Sequence, residues 1–114
     1  MVAKRAHVPD RGDVVWLDFN PTRGHEQSGR RPAFVISPKR YNAKAGLALI
    51  CPITSQIKGY PFEVAFKIKA VHGAILADQI RAVDWVRRDA EKIGAVPEVV
   101  IAEVQECVKK LVLD

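Results

Sequence analysis

The sequence predicts a mainly β domain, in which five or six short strands form a small twisted antiparallel sheet or a partly open barrel closed by one C-terminal helix. Short runs rich in β-branched and aromatic residues recur along the chain, and turn residues separate them. The segment 97–113 instead has the periodicity of an amphipathic helix. With 114 residues, 48% of them hydrophobic, the chain is one small domain with a modest core.

The first strand is predicted over 13–19, DVVWLDF, directly after the turn signal PDRGD. The segment 20–30 is a loop, since it contains proline and glycine. A second strand is predicted over 32–37, with Pro32 at its first position, where a missing N–H is tolerated. The basic segment 38–46 is a connection that can hold a helical turn.

The second half of the chain repeats the pattern of short apolar runs between turn signals. The segment 84–96 stays open between a short strand and an irregular segment. Further strands are predicted over 47–55, which is largely buried, over 63–68 after the loop 56–62, and over 73–80.

The C-terminal helix is predicted to open at Pro97, because proline is favoured at the first helical position. Acidic residues in its first turns and lysines in its last turns agree with the helix dipole. Its valines lower helix propensity, so packing on the sheet must hold it. The apolar side chains on one face are Val100, Ile101, Val104, Val108, Leu111 and Val112.

The formal net charge of +5 favours a polyanionic partner, either nucleic acid or an acidic protein segment, over the alternative that the charge serves solubility alone. Cys51 and Cys107 lie in apolar segments without a CxxC partner, which is typical of buried free thiols in a reducing compartment. The N-terminus lacks the apolar core of a signal peptide, and no apolar run is long enough to span a membrane. We therefore expect a cytoplasmic protein without membrane contact.

Several enzyme classes lack their motifs here. The sequence contains no GxxxxGK[ST], GxGxxG or GxSxG. His7, His25 and His72 share no metal-ligand spacing, and the cysteines do not complete a ligand set. We expect neither a metal nor another cofactor.

The segment 22–37, TRGHEQSGRRPAFVIS, sets one carboxylate, Glu26, among several cations before the chain enters a strand. If the substrate is an RNA phosphodiester, attack by the neighbouring 2′-hydroxyl needs a base and groups that stabilise charge on phosphorus. Glu26 can act as the base, and Arg31 offers a planar fork for phosphate oxygens. Thr54, where the third strand ends, can donate a hydroxyl proton to such an oxygen.

Each of these residues also has a plainer interpretation. Glu26 can form a solvated ion pair with Arg30 or Arg31, Arg31 can cover the strand edge, and Thr54 can be a turn residue. His25 is a rival base, because its usual pKa suits neutral pH better. Adjacent arginines would lower the pKa of Glu26 whereas burial would raise it. The residues alone indicate a basic site directed at nucleic acid.

Three segments together resemble the MazF family of toxin–antitoxin endoribonucleases, the mRNA interferases, over nearly the whole chain. The family pattern is carried by VPDRGDVVWLDFNPTRGHEQSGRRPAFVISP, YNAKAGLALICPITSQIKGYPFEV and LADQIRAVDW. The resemblance implies one MazF-like toxin domain over 1–114. It also implies an SH3-like barrel of about five to seven short antiparallel strands with added helices, and a homodimer.

The resemblance further implies cleavage of single-stranded mRNA at short motifs, with triplets of the ACA type as the first candidate. The expected ends are 2′,3′-cyclic phosphate and 5′-hydroxyl. The implied partner is a cognate MazE-like acidic antitoxin, disordered when free, and promoter DNA is bound only through the complex with that antitoxin.

Residue by residue, the resemblance assigns catalysis to Glu26, Arg31 and Thr54, the three positions that the chemistry favours. The residues expected to bind RNA are Phe19, Gln27, Arg30, Lys58 and Gln79.

Two other functions stay open. A CcdB-like toxin that binds DNA gyrase without nuclease activity would not need EQ.G.RP together with TS..KG. A nucleic-acid-binding module without catalysis would use stacking aromatics, and aromatic residues make up only 7% of this chain.

Overall fold

Seven antiparallel strands and two helices form the part of the chain that the computed structural model describes, residues 7–19 and 29–113. In chain order they are β1 (Asp13–Phe19), β2 (Gly29–Val35), α1 (Lys39–Ala45), β3 (Ala48–Thr54), β4 (Glu63–Lys67), β5 (His72–Leu76), β6 (Arg81–Val83), β7 (Glu91–Ala95) and α2 (Glu98–Val112). The structure therefore confirms a mainly β fold with added helices.

The strands form one curled sheet in the order β4-β5-β3-β2-β1-β7, and β6 pairs with β3 off this path. Strand β3 lies at the centre. Its first residues pair with β6, with Ala48 opposite Val83, and its last residues pair with β5, with Thr54 opposite Ala74. The C-terminal end of β3 therefore lies between β5 and β2, and Thr54 occupies that end.

The sheet buries side chains on both faces, which we call the helix face and the second face. On the helix face, Phe34, Cys51 and Ile53 belong to one core cluster with Val100 and Val104 of α2. Because side chains alternate along a strand, their neighbours point to the second face. The second face is built from Val15, Leu17, Phe19, Ala33, Val35, Ala48, Ile50, Val83 and Trp85.

Most strand predictions are confirmed, and β2 needs a correction. The first strand has its predicted bounds, 13–19. Strand β2 begins at Gly29 instead of Pro32, so Pro32 lies inside the strand opposite Trp16. Pairing of β2 with β3 begins only at Ala33, so at Pro32 the strand has a single neighbour. A missing N–H is tolerated at such a position, as it is at the edge of a sheet, because no second strand needs it as a hydrogen-bond donor.

The region between β5 and α2 differs most from the prediction. Strand β5 ends at Leu76, because the chain turns there and the Gln79 N–H donates to the Leu76 carbonyl oxygen. The short strand β6 was not predicted. In the segment left open, β7 occupies 91–95 after a run of turns.

Helix α2 confirms the predicted amphipathic helix, with two corrections at its ends. Pro97 is the N-cap residue, and Glu98 is the first helical residue. Val100 and Val104 are buried, but Leu111 and Val112 remain 48% and 71% exposed. The last turn of α2 lies beside a shallow groove lined by Ile36 and Val108, so this chain alone does not bury the end of the apolar face.

Asn42 of α1 is fully buried and joins several segments through hydrogen bonds that the sequence did not reveal. Its side-chain amide donates to the carbonyl oxygens of Pro9 and Ser37, and its carbonyl oxygen accepts from the Ser37 hydroxyl. The Trp85 indole N–H donates to the Asn42 main-chain oxygen. Because buried polar groups need partners, this network fixes α1 against the segments that contain Pro9, Ser37 and Trp85.

Both cysteines are free thiols, as predicted. Burial raises the pKa of Cys51 to about 12, and it also raises the pKa of the half-buried Cys107. Across the described residues, no helix is both long and apolar enough to cross a membrane.

Candidate functional site

Arg31 and Thr54 lie on neighbouring strands and on the same face of the sheet. The register of β2 and β3 sets Ala33 opposite Pro52. Two residues further toward the same end of the sheet are Arg31 on one strand and Thr54 on the other. Side chains alternate along each strand, so Arg31 and Thr54 both point to the face of Ala33, the second face. The structure thus places two of the three predicted catalytic residues on one face, just beyond the end of the β2–β3 pairing.

The Arg31 backbone is fixed in β2, and its guanidinium forms no ion pair with a residue that the structure describes. Arg31 is half-buried and pairs across the sheet with Leu17. Its Nε is buried and has no hydrogen-bond partner among residues 7–19 and 29–113. A buried donor without an acceptor costs about 1–3 kcal/mol. An anionic oxygen arriving at this position would remove that cost.

The Thr54 hydroxyl keeps its proton available. Its Oγ1 accepts a hydrogen bond from the Gln56 main-chain N–H at 3.0 Å. A threonine hydroxyl can accept and donate at the same time. The turn at the end of β3 therefore fixes the oxygen of Thr54 while the proton can be donated to a bound oxygen.

Gly73 permits the close approach of β5 to Thr54. A Cβ built on Gly73 would lie 2.3 Å from the Thr54 main-chain oxygen and 3.2 Å from its carbonyl carbon. Both atoms belong to the backbone, so a side chain at this position forces the two strands apart. Thr54 can therefore occupy its observed position only because residue 73 is glycine.

We expect Gly73→Ala to destabilise the fold by about 1–3 kcal/mol, as overpacking does, and to lower activity by displacing Thr54. Urea unfolding measures the first effect. Gly94→Ala is the matched control, because a Cβ there meets only the flexible end of Ile68 at 3.0 Å. Equal losses of stability in the two variants would contradict this role of Gly73.

A cavity of about 600 Å³ adjoins Thr54 and contains two of the predicted RNA-binding residues, Lys58 and Gln79. It lies between the 56–62 loop, which follows β3, and the turn that follows β5. Lining residues that sequence reasoning did not single out include Gln56, Tyr60 and Asp78.

Hydrogen bonds fix both walls of this cavity. The Glu63 carboxylate accepts from the main-chain N–H groups of Lys58 at 2.9 Å and Gly59 at 2.8 Å. The Ala77 N–H donates to the Phe62 carbonyl oxygen at 3.0 Å, which ties the turn to the loop. The cavity is therefore supported by the backbone of both segments.

Phe19, which the resemblance assigns to RNA binding, is a core residue. It is 1% exposed and belongs to the core of the second face. The Arg81 guanidinium lies over its ring, 5.1 Å from the centroid, so the ring supports a cation. Arg81 itself was not predicted, and burial, followed by the nearby Arg88, lowers its pKa.

Arg30, also assigned to RNA binding by the resemblance, is engaged by acidic side chains. Its side chain points to the opposite face of the sheet from that of Arg31, because adjacent residues of a strand point to opposite faces. Its guanidinium forms ion pairs with Asp18 at 2.8 Å and Glu91 at 3.2 Å, and it donates to the Asp89 carbonyl oxygen at 2.7 Å. The hydrogen bond to Asp18 is the main cause of its raised pKa. Arg30 thus joins β1, β2 and β7 and lies away from Thr54.

Glu26 and Gln27, together with the rival base His25, lie outside the described residues. The residues that were missed had a signal in the sequence. Gln56 and Tyr60 fall within PITSQIKGYPFEV, and Asp78 and Arg81 fall within LADQIRAVDW, both of which are segments of the family pattern.

The arrangement is suited to an anion. The Arg31 guanidinium, with an unpartnered nitrogen, and the Thr54 hydroxyl, with an available proton, share a face of the sheet. A cavity large enough for a base adjoins Thr54. Planar guanidinium and hydroxyl donors are typical ligands of phosphate. Among the described residues, no group of three or more His, Cys, Asp or Glu side chains could hold a metal ion.

Comparison with known proteins identifies the relatives of this chain. The model of the PemK-like, MazF-like toxins of type II toxin–antitoxin systems matches residues 10–112. The endoribonuclease toxin MazF of Escherichia coli K12 is 51% identical over 90 residues, which cover 79% of this chain and 81% of that protein. The endoribonuclease EndoA of Bacillus subtilis is 31% identical over 108 residues, which cover 90% of this chain and 92% of that protein.

Solved structures agree with these relatives. MazF of Deinococcus radiodurans superimposes with a TM-score of 0.84 at 50% identity and covers 93% of this chain and 97% of its own. A MazE–MazF complex from the same organism also gives a TM-score of 0.84, at 44% identity, with 95% of this chain and 98% of that chain covered.

Proposed function

We propose that this chain cleaves single-stranded RNA at short motifs without a metal ion. The premise is that the chain belongs to the PemK-like, MazF-like toxin family of type II toxin–antitoxin systems. As an endoribonuclease toxin of this family, it acts on a phosphodiester. The proposed chemistry rests on one observation: Arg31 and Thr54 share a face of the sheet, and Thr54 also lines the cavity.

In the proposed reaction the 2′-hydroxyl attacks the adjacent phosphorus, and the bond from phosphorus to the 5′-oxygen breaks. Glu26 takes the proton of the 2′-hydroxyl, and the leaving 5′-oxygen takes a proton from the solvent. The products carry a 2′,3′-cyclic phosphate and a 5′-hydroxyl. Charge that builds on the non-bridging oxygens is stabilised by the Arg31 guanidinium and the Thr54 hydroxyl.

The positions of Arg31 and Thr54 in the sheet preorganise the site for the transition state. Both are held by the sheet before substrate arrives, Arg31 by its place in β2 and Thr54 by the Gln56 N–H. Donors fixed in this way stabilise developing charge without a cost of reorganisation at the moment of reaction. Lys58 lines the adjacent cavity and adds a further cation for the RNA backbone.

Incubation of the purified chain with a long single-stranded RNA in EDTA, followed by mapping of the fragment ends, tests this proposal. We expect cleavage at a short recurring motif, with cyclic phosphate and 5′-hydroxyl ends. Thr54→Val, purified in parallel, keeps the side-chain shape without the hydroxyl and reports contaminating nuclease. Cleavage that requires added magnesium would refute the metal-independent step, and intact RNA would favour the gyrase-binding alternative.

We also propose that a second copy of this chain covers the exposed end of α2, so that the toxin is a homodimer. The groove beside that end is lined by Ile36, Val108 and Val112, and Leu111 is 48% exposed next to it. An apolar surface of this kind on so small a domain favours association.

Sedimentation at micromolar concentration should give the mass of a dimer for the wild-type chain and that of a monomer for Val112→Glu, which places a charge in the groove. Val99→Glu is the matched control, because Val99 is 64% exposed on the first turn of the same helix and should leave the dimer intact. A wild-type monomer at every concentration would contradict the dimer.

The proposed partner is a MazE-like antitoxin whose acidic, disordered segment binds over the site that holds Arg31, Thr54 and Lys58 and excludes RNA. The net charge of +5 and the MazE–MazF complex of Deinococcus radiodurans support this choice. Promoter DNA is then bound only by the complex of toxin and antitoxin. An acidic antitoxin peptide should compete with RNA, and added salt should weaken both interactions.

A further inference from the structure

Asp78 is a carboxylate in a site that otherwise suits phosphate. It is exposed on the turn that follows β5, and it lines the cavity beside Thr54, Lys58 and Gln79. A carboxylate repels the phosphates of RNA, so its presence there has an electrostatic cost unless it receives a hydrogen bond from the substrate. The hydrogen-bond donors of an RNA chain are its 2′-hydroxyls and its base edges, and of these only the base edges differ from one nucleotide to the next.

Among the described residues, Glu63 is the other carboxylate that lines the cavity. Its carboxylate is already hydrogen-bonded to the 56–62 loop. Its Oε1 accepts from the main-chain N–H groups of Lys58 and Gly59. The Asp78 carboxylate, in contrast, makes no hydrogen bond and no ion pair with residues 7–19 or 29–113. Asp78 is thus the acidic acceptor that the cavity leaves for a ligand.

The position of Asp78 is fixed by the backbone. The Gln79 N–H donates to the Leu76 carbonyl oxygen at 3.1 Å, which closes the turn, and the Ala77 N–H donates to the Phe62 oxygen. Across the cavity, Tyr60 is 60% exposed and offers a ring face on which a base can stack. The cavity of about 600 Å³ can admit a single unpaired base.

We propose that Asp78 determines specificity by accepting a hydrogen bond from the exocyclic amine of an unpaired base in this cavity, so that adenine, cytosine or guanine is selected against uracil. An ionised carboxylate only accepts hydrogen bonds, and it pairs with amines such as N4 of cytosine. Uracil has no exocyclic amine, and two carbonyl oxygens that repel a carboxylate flank its N3–H. This inference rests on the proposed RNA cleavage and adds the identity of the base that the site reads.

Asp78→Asn tests the inference on a library of random single-stranded RNA, with bases counted at each position around the cleaved bond. The wild-type chain should disfavour uracil at one position near that bond by about tenfold or more, as expected for one specific base contact. Asparagine supplies both a donor and an acceptor, so the variant should cleave at uracil there within about threefold of the other bases. Preferences at the remaining positions should stay unchanged.

A second measurement uses one RNA in which the preferred base is replaced by the nucleoside that lacks only its amine. These replacements are purine riboside for adenosine, inosine for guanosine and 2-pyrimidinone riboside for cytidine. The wild-type chain should lose about tenfold or more in rate. Asp78→Ala, which has no acceptor to lose, should cleave both RNAs at the same rate.

Asp89→Asn is the matched control for removal of one negative charge. Its carboxylate is 81% exposed beside Arg30, outside the cavity, and asparagine tolerates its positive φ of 54°. The base preferences of this variant should equal those of the wild-type chain. If Asp78→Asn keeps the wild-type preferences, or slows all sequences equally, the inference is wrong while RNA cleavage stands. If the wild-type chain cleaves no RNA, the proposed function fails, and the inference fails with it.

Discussion

Arg31→Lys should lower the single-turnover rate of RNA cleavage about a hundredfold, as does the loss of one positioned donor in other enzymes. Its affinity for RNA should change by less than about threefold, because many cations share the attraction of the backbone. The charge is kept in this variant. What is lost is the planar fork, whose Nε is buried without a partner among the described residues.

The rate and the affinity must be measured separately to test this expectation. Affinity is measured with an RNA that carries a single 2′-deoxy nucleotide at the cleaved position and so cannot react. Single-turnover cleavage of the matching all-ribose RNA gives the rate of the chemical step. An interaction formed only in the transition state lowers the rate and leaves binding almost unchanged.

Arg30→Lys is the matched control, since the same substitution is made one residue earlier on the same strand. The Arg30 side chain points to the other face and is engaged by Asp18 and Glu91. Its cleavage rate should stay within about threefold of wild type, as for exposed ion pairs of small energetic value. If Arg31→Lys loses rate and affinity in equal proportion, Arg31 is a binding residue and its catalytic assignment is wrong.

The two arginines also show where reasoning from the sequence succeeded and where it failed. The sequence predicts a strand that begins at Pro32, which leaves Arg30 in the preceding loop and gives Arg31 no place on a strand face. Chemistry and the resemblance assign Arg31 to catalysis, and the resemblance assigns Arg30 to RNA binding. Once β2 begins at Gly29, alternation alone separates them, and the register with β1 sets Arg30 opposite Asp18.

Local patterns were sufficient for the longer elements. The period of α2 and the alternation of β1 are properties of consecutive residues, and both elements lie where they were predicted. Strand β6 has three residues, too few to show any period, and it forms because β3 offers it an edge. The burial of Phe19 under Arg81 is also a contact between distant segments. Such contacts depend on strand register, which single-sequence patterns do not contain.

The shared face of Arg31 and Thr54 depends on register in the same way. Chemistry proposes both as ligands of one phosphodiester, but a single sequence does not show which faces two distant strands share. In the structure the pairing of Ala33 with Pro52 puts both residues on the second face. At the exposed end of α2, the local pattern was sufficient and the packing was not predicted. Its helical pattern correctly put Leu111 and Val112 on the apolar face, but this chain alone does not cover them.

Glu26→Gln should lower the rate of RNA cleavage by about a hundredfold or more, the usual contribution of a general base. Glutamine keeps the size of the side chain but cannot take the proton of the 2′-hydroxyl. Binding of the 2′-deoxy RNA should be equal to that of the wild-type chain or tighter, since one negative charge is removed from a site that attracts phosphate. The same pair of measurements used for Arg31 gives both quantities.

His25→Gln is the control that identifies the base, because His25 is its neighbour in the chain and can also accept a proton near neutral pH. If Glu26 is the base, His25→Gln should cleave within about threefold of the wild-type rate, as a loop substitution outside the reaction. The rate of the His25→Gln variant should then still fall at acid pH as the Glu26 carboxylate becomes protonated. If Glu26→Gln cleaves at the wild-type rate and His25→Gln loses most of its cleavage rate, His25 is the base. Large losses in both variants with unchanged RNA affinity would show that the two residues share the proton transfer, and the assignment of a single carboxylate base would be wrong.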